Sequence, residues 1–380
     1  MHFNLTINNY IRKMKTTPLS SIISILEKLA PPHYQESYDN AGLIVGNNSL
    51  EITGAVICLD STEEVIEEAI KSKCNLVIAH HPIIFSGLKK LNGKNYIERA
   101  IIKAIKNDIA IYAIHTNLDN VREGVNKKIA DKIGLMNCKI LAPLKNKLRQ
   151  LVTFVPHDNA SKLRQSLFKV GGGAISNYDE CSFNISGIGT FRGNENSNPV
   201  IGRKGSQERV DETRIEIIFP AHIQELLIET LKQNHPYEEV AYYIYDLSNS
   251  WDFHGAGMVG ELSTPLLEKD FLLLVKNKMR ASSIRHTKFL KRKIKTVTIC
   301  GGAGFFLLPE AIKVGADVFV TSDVKYHQFF DADKKILLCD IGHYESEQFT
   351  IDLLHEYLNK NLPTFALRKS KTVTNPVNYF

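Results

Sequence analysis

Short apolar runs that alternate with amphipathic helices constrain the fold of this chain more than any other feature. NLVIA at 75–79 and IAIYAI at 109–114 are typical of buried strands. Between and before them, 96–107 has helical spacing, and 61–71 opens with Ser/Thr and early carboxylates, as the first turn of a helix does. This alternation predicts an α/β fold in which helices cover the faces of a sheet.

The C-terminal third of the chain repeats this pattern. Residues 297–323 align with 55–81, and the second copy keeps the residue types of Ile57, Cys58, Glu68, Ala69, Ile70 and Lys71. Further along, ILLCDIG at 336–342 runs into His343, just as IAIYAI runs into His115, and the tails share the form H-x-x-x-D or H-x-x-x-E. The repeat predicts two related α/β lobes, with potential ligands at strand ends in both, because open α/β sheets carry their sites there.

A segment of different character separates the two repeats. Its predicted elements follow the order strand, helix, strand, strand, helix, strand, which is the order of a ferredoxin-like α+β domain. A loop rich in Gly, Asn and Ser at 192–210 is predicted to be flexible. We therefore divide the chain into a first lobe at 14–145, a ferredoxin-like insert at 146–250 and a second lobe at 251–372.

Composition indicates a folded globular protein. A length of 380 residues suits two or three domains, and 43% apolar with 23% charged residues is close to average globular usage. The net charge of +6 is mild, and the basic residues alternate with acidic ones over most of the chain. Nucleic acid binding is therefore not indicated, and the basic stretches at 144–149 and 288–295 are interpreted as solvated surface.

Neither the cysteines nor the N-terminus indicates export or a membrane. The six cysteines are far apart without a C-x-x-C pair, which favours buried reduced thiols. No run reaches the roughly 18 apolar residues of a membrane span, and the N-terminus lacks the apolar region of a secretory signal. We expect a cytoplasmic protein without membrane contact. Met14 precedes the first predicted helix, so residues 1–13 are either an extension outside the folded unit or the product of a misplaced start codon.

Five potential metal ligands stand at the predicted strand ends. A single histidine is more often a satisfied structural group than a ligand, but here two adjacent histidines precede Pro82, which ends their strand. Histidine and carboxylate ligands without thiolate suit Zn²⁺, Fe²⁺, Mn²⁺ or Co²⁺, and the sequence does not choose among them. Five ligands are too many for one open site and enough for two cations, with Glu347 as the bridge. The predicted ligands are His80, His81, Asp119, His343 and Glu347.

Ordered motifs across the chain resemble a known family. YDNAGLIVG (38–46), HHPIIF (80–85), HTNLD (115–119), TSDVKYHQ (321–328) and GHYESE (342–347) are similar to motifs of the GTP cyclohydrolase 1 type 2 family, also called the NGG-one-interacting-factor-three family. The middle segment resembles the signal-transducer-P-two-like domain of longer bacterial members, through GIGTFRGNENSNPVIG and HPYEEVAYYIYDL. The resemblance covers about 14–370.

The resemblance implies a fold, an assembly and a ligand assignment. It implies two related α/β lobes in a ring-shaped homohexamer. It also implies that His81 and Asp119 hold one metal and His80 and His343 the other, with Glu347 as a bridging ligand. Tyr38 stands where the family often has Trp, which we interpret as a packing change.

Further polar residues are weaker candidates. His115 is either a partner of the ligands, a general acid or base, or the donor of a structural hydrogen bond. Asp39 and Asn40 are expected to shape the loop beside the site, while Asp323 and His327 are candidates to line it from the second lobe. In the insert, His235 and Tyr237 are interpreted first as structural residues at a strand entry and second as a small-molecule site.

These features leave three functions to compare. The first is a dinuclear metal hydrolase acting on a small molecule, where the resemblance implies that activated water attacks C8 of the guanine ring of GTP and formate is released. Against that substrate, no phosphate-binding loop is visible, since GGGAIS at 171–176 lacks the Lys of such a motif. The second is a regulatory or metal-handling protein whose insert senses a metabolite. The third, weakest, is a ring that threads nucleic acid.

Overall fold

The computed structural model describes residues 16–175 and 177–380. The prediction about residues 1–13 therefore lies outside the described residues. The chain divides into two compact units, one made of the described residues up to Ala142 together with Ala256–Phe380, the other of Pro143–Gly255. The described residues of the first and third predicted segments lie in one unit, except for 143–145 and 251–255, which belong to the other.

The strands, in chain order, are β1 (Thr17–Pro18), β2 (Gly42–Val45), β3 (Glu51–Ile52), β4 (Ala55–Cys58), β5 (Leu76–Ala79), β6 (Ala110–Ala113), β7 (Met136–Leu144), β8 (Leu148–Pro156), β9 (Phe183–Arg192), β10 (Gln207–Pro220), β11 (Tyr242–Leu247), β12 (Trp251–Leu267), β13 (Arg285–His286), β14 (Lys293–Ile299), β15 (Val318–Thr321), β16 (Leu337–Asp340) and β17 (Leu367–Lys369).

The α-helices are α1 (Leu19–Leu29), α2 (Glu63–Lys71), α3 (Tyr96–Lys106), α4 (Thr116–Asp119), α5 (Val125–Ile133), α6 (His157–Lys169), α7 (Gln224–Asn234), α8 (Glu268–Lys278), α9 (Leu308–Lys313), α10 (His343–Glu347) and α11 (Thr350–Asn361). Short 3-10 helices occur at Pro32–Tyr34, Ala221–Ile223, Phe305–Leu307 and Tyr326–Ala332.

A five-stranded sheet forms from the first third of the chain and one late strand. Its order is β17-β4-β5-β6-β2, with β17, β4, β5 and β6 parallel and β2 antiparallel at the edge. Every residue of β4, β5 and β6 is buried, as expected for parallel strands with helices on both faces. Helix α3 begins where the Asn95 side chain accepts a hydrogen bond from the Glu98 amide at 2.9 Å, a standard N-cap.

A six-stranded sheet forms mainly from the last third of the chain. Its order is β13-β16-β15-β14-β12-β7, and β14, β15 and β16 are parallel. The repeat alignment that relates 297–323 to 55–81 places β15 directly on β5. Each sheet therefore has a parallel set of strands, and buried apolar residues pack on each one.

The second unit contains a four-stranded antiparallel sheet and two helices. The sheet has the order β11-β8-β10-β9, and α6 and α7 cover one face, where Leu163 of α6 and Leu227 of α7 share a core with Phe219 of β10, all 0% exposed. In chain order these elements run strand, helix, strand, strand, helix, strand, as the sequence predicts.

The structure differs from the sequence prediction in several elements. The polar loop predicted at 192–210 is shorter, because Gln207 already pairs with Arg192 and the two strands continue from there as a long hairpin. Strands β7 and β12 and helices α5 and α8 were not predicted at all. None of the helices in the described ranges combines the length and apolar character needed to cross a membrane.

Candidate metal centre

Polar side chains follow the carboxyl ends of several parallel strands. Asp60 comes after β4, His80 and His81 after β5, His115 after β6 and His343 after β16. The backbone amides of His80 and His81 still donate to the carbonyls of Cys58, the last residue of β4, and of Leu59, at 3.2 and 2.9 Å. The two histidines are therefore placed by the end of the sheet, and Pro82 follows them directly.

His80 is buried and its orientation is fixed by the backbone. Its side chain is 0% exposed, and Nδ1 donates to the Ile114 carbonyl at 2.8 Å. This bond leaves the lone pair on Nε2. Nε2 lies 3.7 Å from Asp119 Oδ1 and 3.8 Å from Glu347 Oε1.

Two of these facing atoms lack a hydrogen-bond partner. His80 Nε2 and Asp119 Oδ1 are both buried, and neither forms a hydrogen bond within the described chain. Buried polar atoms are nearly always satisfied, and a lone pair facing a carboxylate cannot be satisfied without a donor or a cation. The donor set of His80, Asp119 and Glu347 therefore fits a metal ion.

The second oxygen of Glu347 faces two other imidazoles. Oε2 lies 2.9 Å from His81 Nε2 and 3.0 Å from His343 Nε2, and the two nitrogens are 3.4 Å apart. Glu347 itself is only 3% exposed. Thus Oε1 of Glu347 faces His80, which lies beside Asp119, and Oε2 faces His81 and His343.

Each of these imidazoles is held by a carboxylate on its far side. Asp60 Oδ1 lies 2.7 Å from His81 Nδ1, and Asp323 Oδ2 lies 2.7 Å from His343 Nδ1. Such bonds fix the tautomer and ring direction of a metal-binding histidine, leaving Nε2 to face the cation.

The charges of the cluster shift its pKa values strongly. Burial acts to lower the pKa of His81, but hydrogen bonds with Asp60 and Glu347 raise it to about 9. Burial acts in the same direction on His343, yet the Glu347 charge and the Asp323 bond raise its pKa to about 11. For Asp119, burial and the Glu347 charge raise the pKa. Without metal, His81 and His343 are therefore protonated at neutral pH.

His80, His81 and Glu347 together form a group that could hold a metal ion, since their ligand atoms lie within 4.8 Å of one another. The proximity of atoms differs from the pairing that the resemblance implies. His80, rather than His81, lies beside Asp119, and His81 lies beside His343. The physical reason is that His80 points inward from the strand end while His81 is turned outward to Asp60.

His115 faces the same region from the end of β6. Its Nδ1 lies 2.7 Å from Asp39 Oδ1, and its ring centroid is 5.4 Å from those of His80 and His81. Asp39 also accepts bonds from the amide and hydroxyl of Thr116. Although burial acts to raise the pKa of Asp39, these bonds lower it to about 2, so it is a fixed anion behind His115.

A cavity of about 410 Å³ opens onto the cluster. Exposed rings of Tyr38, Phe85 and Phe306 stand at its wall, and His81, His115, Asp119, His343 and Glu347 line it as well. No Lys or Arg of the described residues lines this cavity. Any positive charge in this cavity therefore comes from imidazolium groups or from cations.

Gly302 sits against the bridging carboxylate. Its φ is +61°, and an added Cβ would lie 2.4 Å from Glu347 Oε1 and 3.5 Å from His343 Cε1. Only glycine leaves the room that this carboxylate occupies.

The remaining residues considered for the site differ in whether they lie beside the cluster. Asn40 binds the Ile84 carbonyl through its side chain at 2.7 Å, which ties the loop before the site to the segment after His81. His327 does not line the cavity, and its ring packs against neighbouring aromatic rings instead. Sequence reasoning missed Asp60, whose signal was available, since it follows a buried strand as His80 does.

In the second unit, the two predicted residues support local structure. His235 lies 2.9 Å from the Phe154 carbonyl through Nε2, and its Nδ1 accepts from the Tyr237 amide at 3.1 Å. The Tyr237 hydroxyl donates to Glu212 at 2.8 Å, beside a cavity of about 670 Å³ within that unit.

Comparison with known proteins gives a consistent result. The chain is 38% identical over 332 residues to a GTP cyclohydrolase 1 type 2 homolog of Halalkalibacterium halodurans, covering 87% of this chain and 89% of the relative. It is 35% identical over 368 residues to the protein of the same name from Bacillus subtilis, covering 94% and 97%.

A solved structure agrees over the whole length. The crystal structure of a Bacillus cereus protein related to NIF3 is 36% identical, with a TM-score of 0.80, and the match covers 97% of this chain and 100% of that one. The sequence profile of the family described as Duf34/NIF3 (NGG1p interacting factor 3) matches residues 17–376. With a cluster of histidines and carboxylates at the strand ends and a match over almost the whole sequence, this chain belongs to the Duf34/NIF3 family.

Proposed function

We propose that this protein is a dinuclear metal-dependent hydrolase that acts on a small molecule. The observation that carries the proposal is the arrangement around Glu347. Its two carboxylate oxygens face two separate groups of potential ligands, and one of these groups contains buried atoms without hydrogen-bond partners.

The proximities suggest which residues hold each cation. His80 and Asp119 would hold one with Glu347 Oε1, and His81 and His343 would hold the other with Glu347 Oε2. Histidine and carboxylate donors suit Zn²⁺, Fe²⁺, Mn²⁺ or Co²⁺. When bound, cations of this kind act as Lewis acids and lower the pKa of a bound water molecule towards neutrality. Elemental analysis of the purified protein identifies the metal.

His115 is the proposed general acid and base. With Nδ1 hydrogen-bonded to the buried Asp39 anion, its Nε2 is the nitrogen left to exchange a proton with a substrate in the cavity. Its side chain is 16% exposed, so it is reachable without being freely solvated. This places the proton-transfer group beside the cluster without using a ligand for that task.

The guanine ring of GTP is the first substrate to test, because relatives are named as homologs of GTP cyclohydrolase 1 type 2. The aromatic wall of Tyr38, Phe85 and Phe306 suits a flat ring. Because no Lys or Arg of the described residues lines the cavity, a triphosphate meets none of the basic side chains that usually bind phosphate, and we expect guanosine and GTP to react with similar efficiency.

The test is formate release from GTP and guanosine by metal-loaded protein. We expect release by the unmodified protein and loss of at least about 100-fold in Asp119→Ala and Glu347→Gln, since removing a metal ligand removes the reaction centre. Thr364→Val, at an exposed position, is the control. Equal release by both ligand variants and the unmodified protein would eliminate the proposal.

A second candidate function is a regulatory or metal-handling protein whose middle unit senses a metabolite. The observation that favours it is the cavity of about 670 Å³ in that unit, walled by Phe154, Ile188 and Tyr243. Gly187 lines it and has nothing within 4 Å of an added Cβ, so Gly187→Leu adds an apolar side chain at the cavity wall without a clash at Cβ. Metabolite binding that this variant abolishes, in a protein without turnover, would favour the second function.

The finer points of architecture and assembly are proposals too. The alignment of β15 on β5 supports two related lobes, and the order β11-β8-β10-β9 supports a ferredoxin-like insert at about 146–250, similar to a signal-transducer-P-two-like domain. The homohexamer rests on the resemblance alone, and measuring the mass of the native assembly tests it. A cytoplasmic location without nucleic acid partners stays a prediction.

A further inference from the structure

The segment that follows the last strand is tied down by a single carboxylate. After β17, the Ser370 amide continues the pairing with the Ile57 carbonyl at 2.8 Å. Glu68 of α2 then accepts bonds from the Ser370 hydroxyl, the Lys371 amide and the Thr372 hydroxyl, at 2.7, 2.9 and 2.9 Å. Terminal residues are ordered only where something fixes them, and here Glu68 is the anchor.

Beyond this anchor the segment reaches the carboxylate behind His81. The Thr374 hydroxyl donates to Asp60 Oδ2 at 2.5 Å, while Asp60 Oδ1 binds His81 Nδ1 at 2.7 Å. Both oxygens of Asp60 are therefore engaged, one by the terminal segment and one by the imidazole. Because Asp60 is still 35% exposed, water would compete for it without Thr374.

The next residue contacts the other half of the cluster. Asn375 Nδ2 donates to Glu345 Oε1 at 3.1 Å, and Glu345 is 4% exposed within α10. This short helix also carries His343 and Glu347. Thr374 thus contacts Asp60, which positions His81, and the next residue, Asn375, contacts α10, which carries Glu347.

We propose that residues 370–379 form a strap that positions the metal cluster, with Thr374 fixing Asp60 and through it His81, and Asn375 fixing α10. Thr374, Asn375 and Asp60 are positioning residues that touch no substrate. The inference rests on the proposed metal site. Removing a partner behind a metal-binding histidine typically lowers metal affinity by about 10- to 100-fold, because the ring then loses its fixed direction.

The strap affects one group of ligands more directly than the other. His80 is oriented by the Ile114 carbonyl, and neither that bond nor Asp119 involves the strap. On the side away from Glu347, His81 is held by Asp60, the residue that Thr374 contacts. Loosening Thr374 is therefore expected to weaken one of two bound ions and leave the other unchanged, a result that a general loss of stability would not produce.

The test is a Zn²⁺ titration of the full chain in competition with a chelating dye. Thr374→Val removes the hydroxyl and keeps the shape, Thr374→Ser keeps the hydroxyl, and Thr364→Val makes the same change at an exposed position before β17. We expect one of the two binding steps to weaken by about 10- to 100-fold in Thr374→Val while the other stays unchanged, with Thr374→Ser and Thr364→Val like the unmodified protein. Equal affinity in Thr374→Val and the unmodified protein overturns the strap.

A further variant keeps the test decisive if Thr374→Val fails to fold. Glu68→Gln loosens the anchor without touching Asp60, and we expect it to weaken the same binding step. If Thr374→Val does not fold, equal Zn²⁺ binding by Glu68→Gln and the unmodified protein overturns the proposal. An unmodified protein that binds no Zn²⁺, Fe²⁺, Mn²⁺ or Co²⁺ refutes the proposed function, whereas normal binding of two ions by Thr374→Val refutes only the strap.

Discussion

Replacing Gly302 by alanine tests the geometry around the bridging carboxylate. The added Cβ would lie 2.4 Å from Glu347 Oε1, about 1 Å closer than the 3.4 Å at which ordinary contacts begin. Glu347 must therefore move by about 1 Å, and at 3% exposure it has no solvent to move into. Its bonds of 2.9 and 3.0 Å to His81 and His343 would break in the process.

The substitution has two separable effects. The left-handed backbone costs about 1 kcal/mol for any residue with a Cβ. The displaced carboxylate adds the loss of hydrogen bonds to charged groups, about 2–3 kcal/mol. Gly315→Ala separates the two, because Gly315 has φ +69° and nothing within 4 Å of an added Cβ, so only the backbone effect applies.

The assay combines urea unfolding of the metal-free protein with metal titration. We expect Gly315→Ala to lose about 1 kcal/mol and bind metal normally, and Gly302→Ala to lose about 3–4 kcal/mol with metal affinity at least about 10-fold lower. If the two variants have the same stability and the same metal affinity, the carboxylate does not occupy the position described, and the reasoning about the cluster is wrong.

Three further predictions follow from the structure. The pKa values of about 9 for His81 and about 11 for His343 keep both imidazoles protonated at pH 7 without metal, so a binding metal must displace protons. Metal affinity should therefore rise from pH 6 to 8.5, and calorimetry in two buffers should detect proton release. A metal affinity that is independent of pH would contradict this. Phe219→Ala should destabilise the second unit by about 3–5 kcal/mol, measured by urea unfolding, and leave metal binding unchanged. Asp39→Asn should leave metal content unchanged and lower kcat, because His115 loses the anion that orients it, and an unaltered kcat would remove His115 from the proposed mechanism.

The residues that the sequence could identify are those whose local context is unusual. Two adjacent histidines after a buried strand and before Pro82 stand out, and His343 with Glu347 one helical turn later forms a similar signal. The two parallel sets of strands could be predicted for the same reason, since NLVIA and DVFVT have the composition of strands buried on both faces.

What the sequence could not reveal depends on contacts between distant segments. Asp60 resembles any acidic residue after a strand until His81 lies 2.7 Å away, and Thr374 resembles any residue of a polar tail until Asp60 accepts its hydroxyl. The first half of β10, QERVDET, alternates charges and reads as a loop, because pairing with β9, not burial, makes it a strand. The sequence also cannot reveal which histidine nitrogen lies beside which carboxylate, because only the folded structure sets those distances.

The position of β17 has a consequence for how the protein is made. This strand lies parallel to β4 with Leu367 opposite Ala55, so the sheet joins an early segment of the sequence to a late one. Pairing over such a separation in sequence is slow to form. The early strands are followed by His80, His81 and Asp119, but Glu347, the carboxylate that faces both ligand groups, comes from α10 in the last third of the sequence. The proposed metal site can therefore be completed only after α10 has been synthesised.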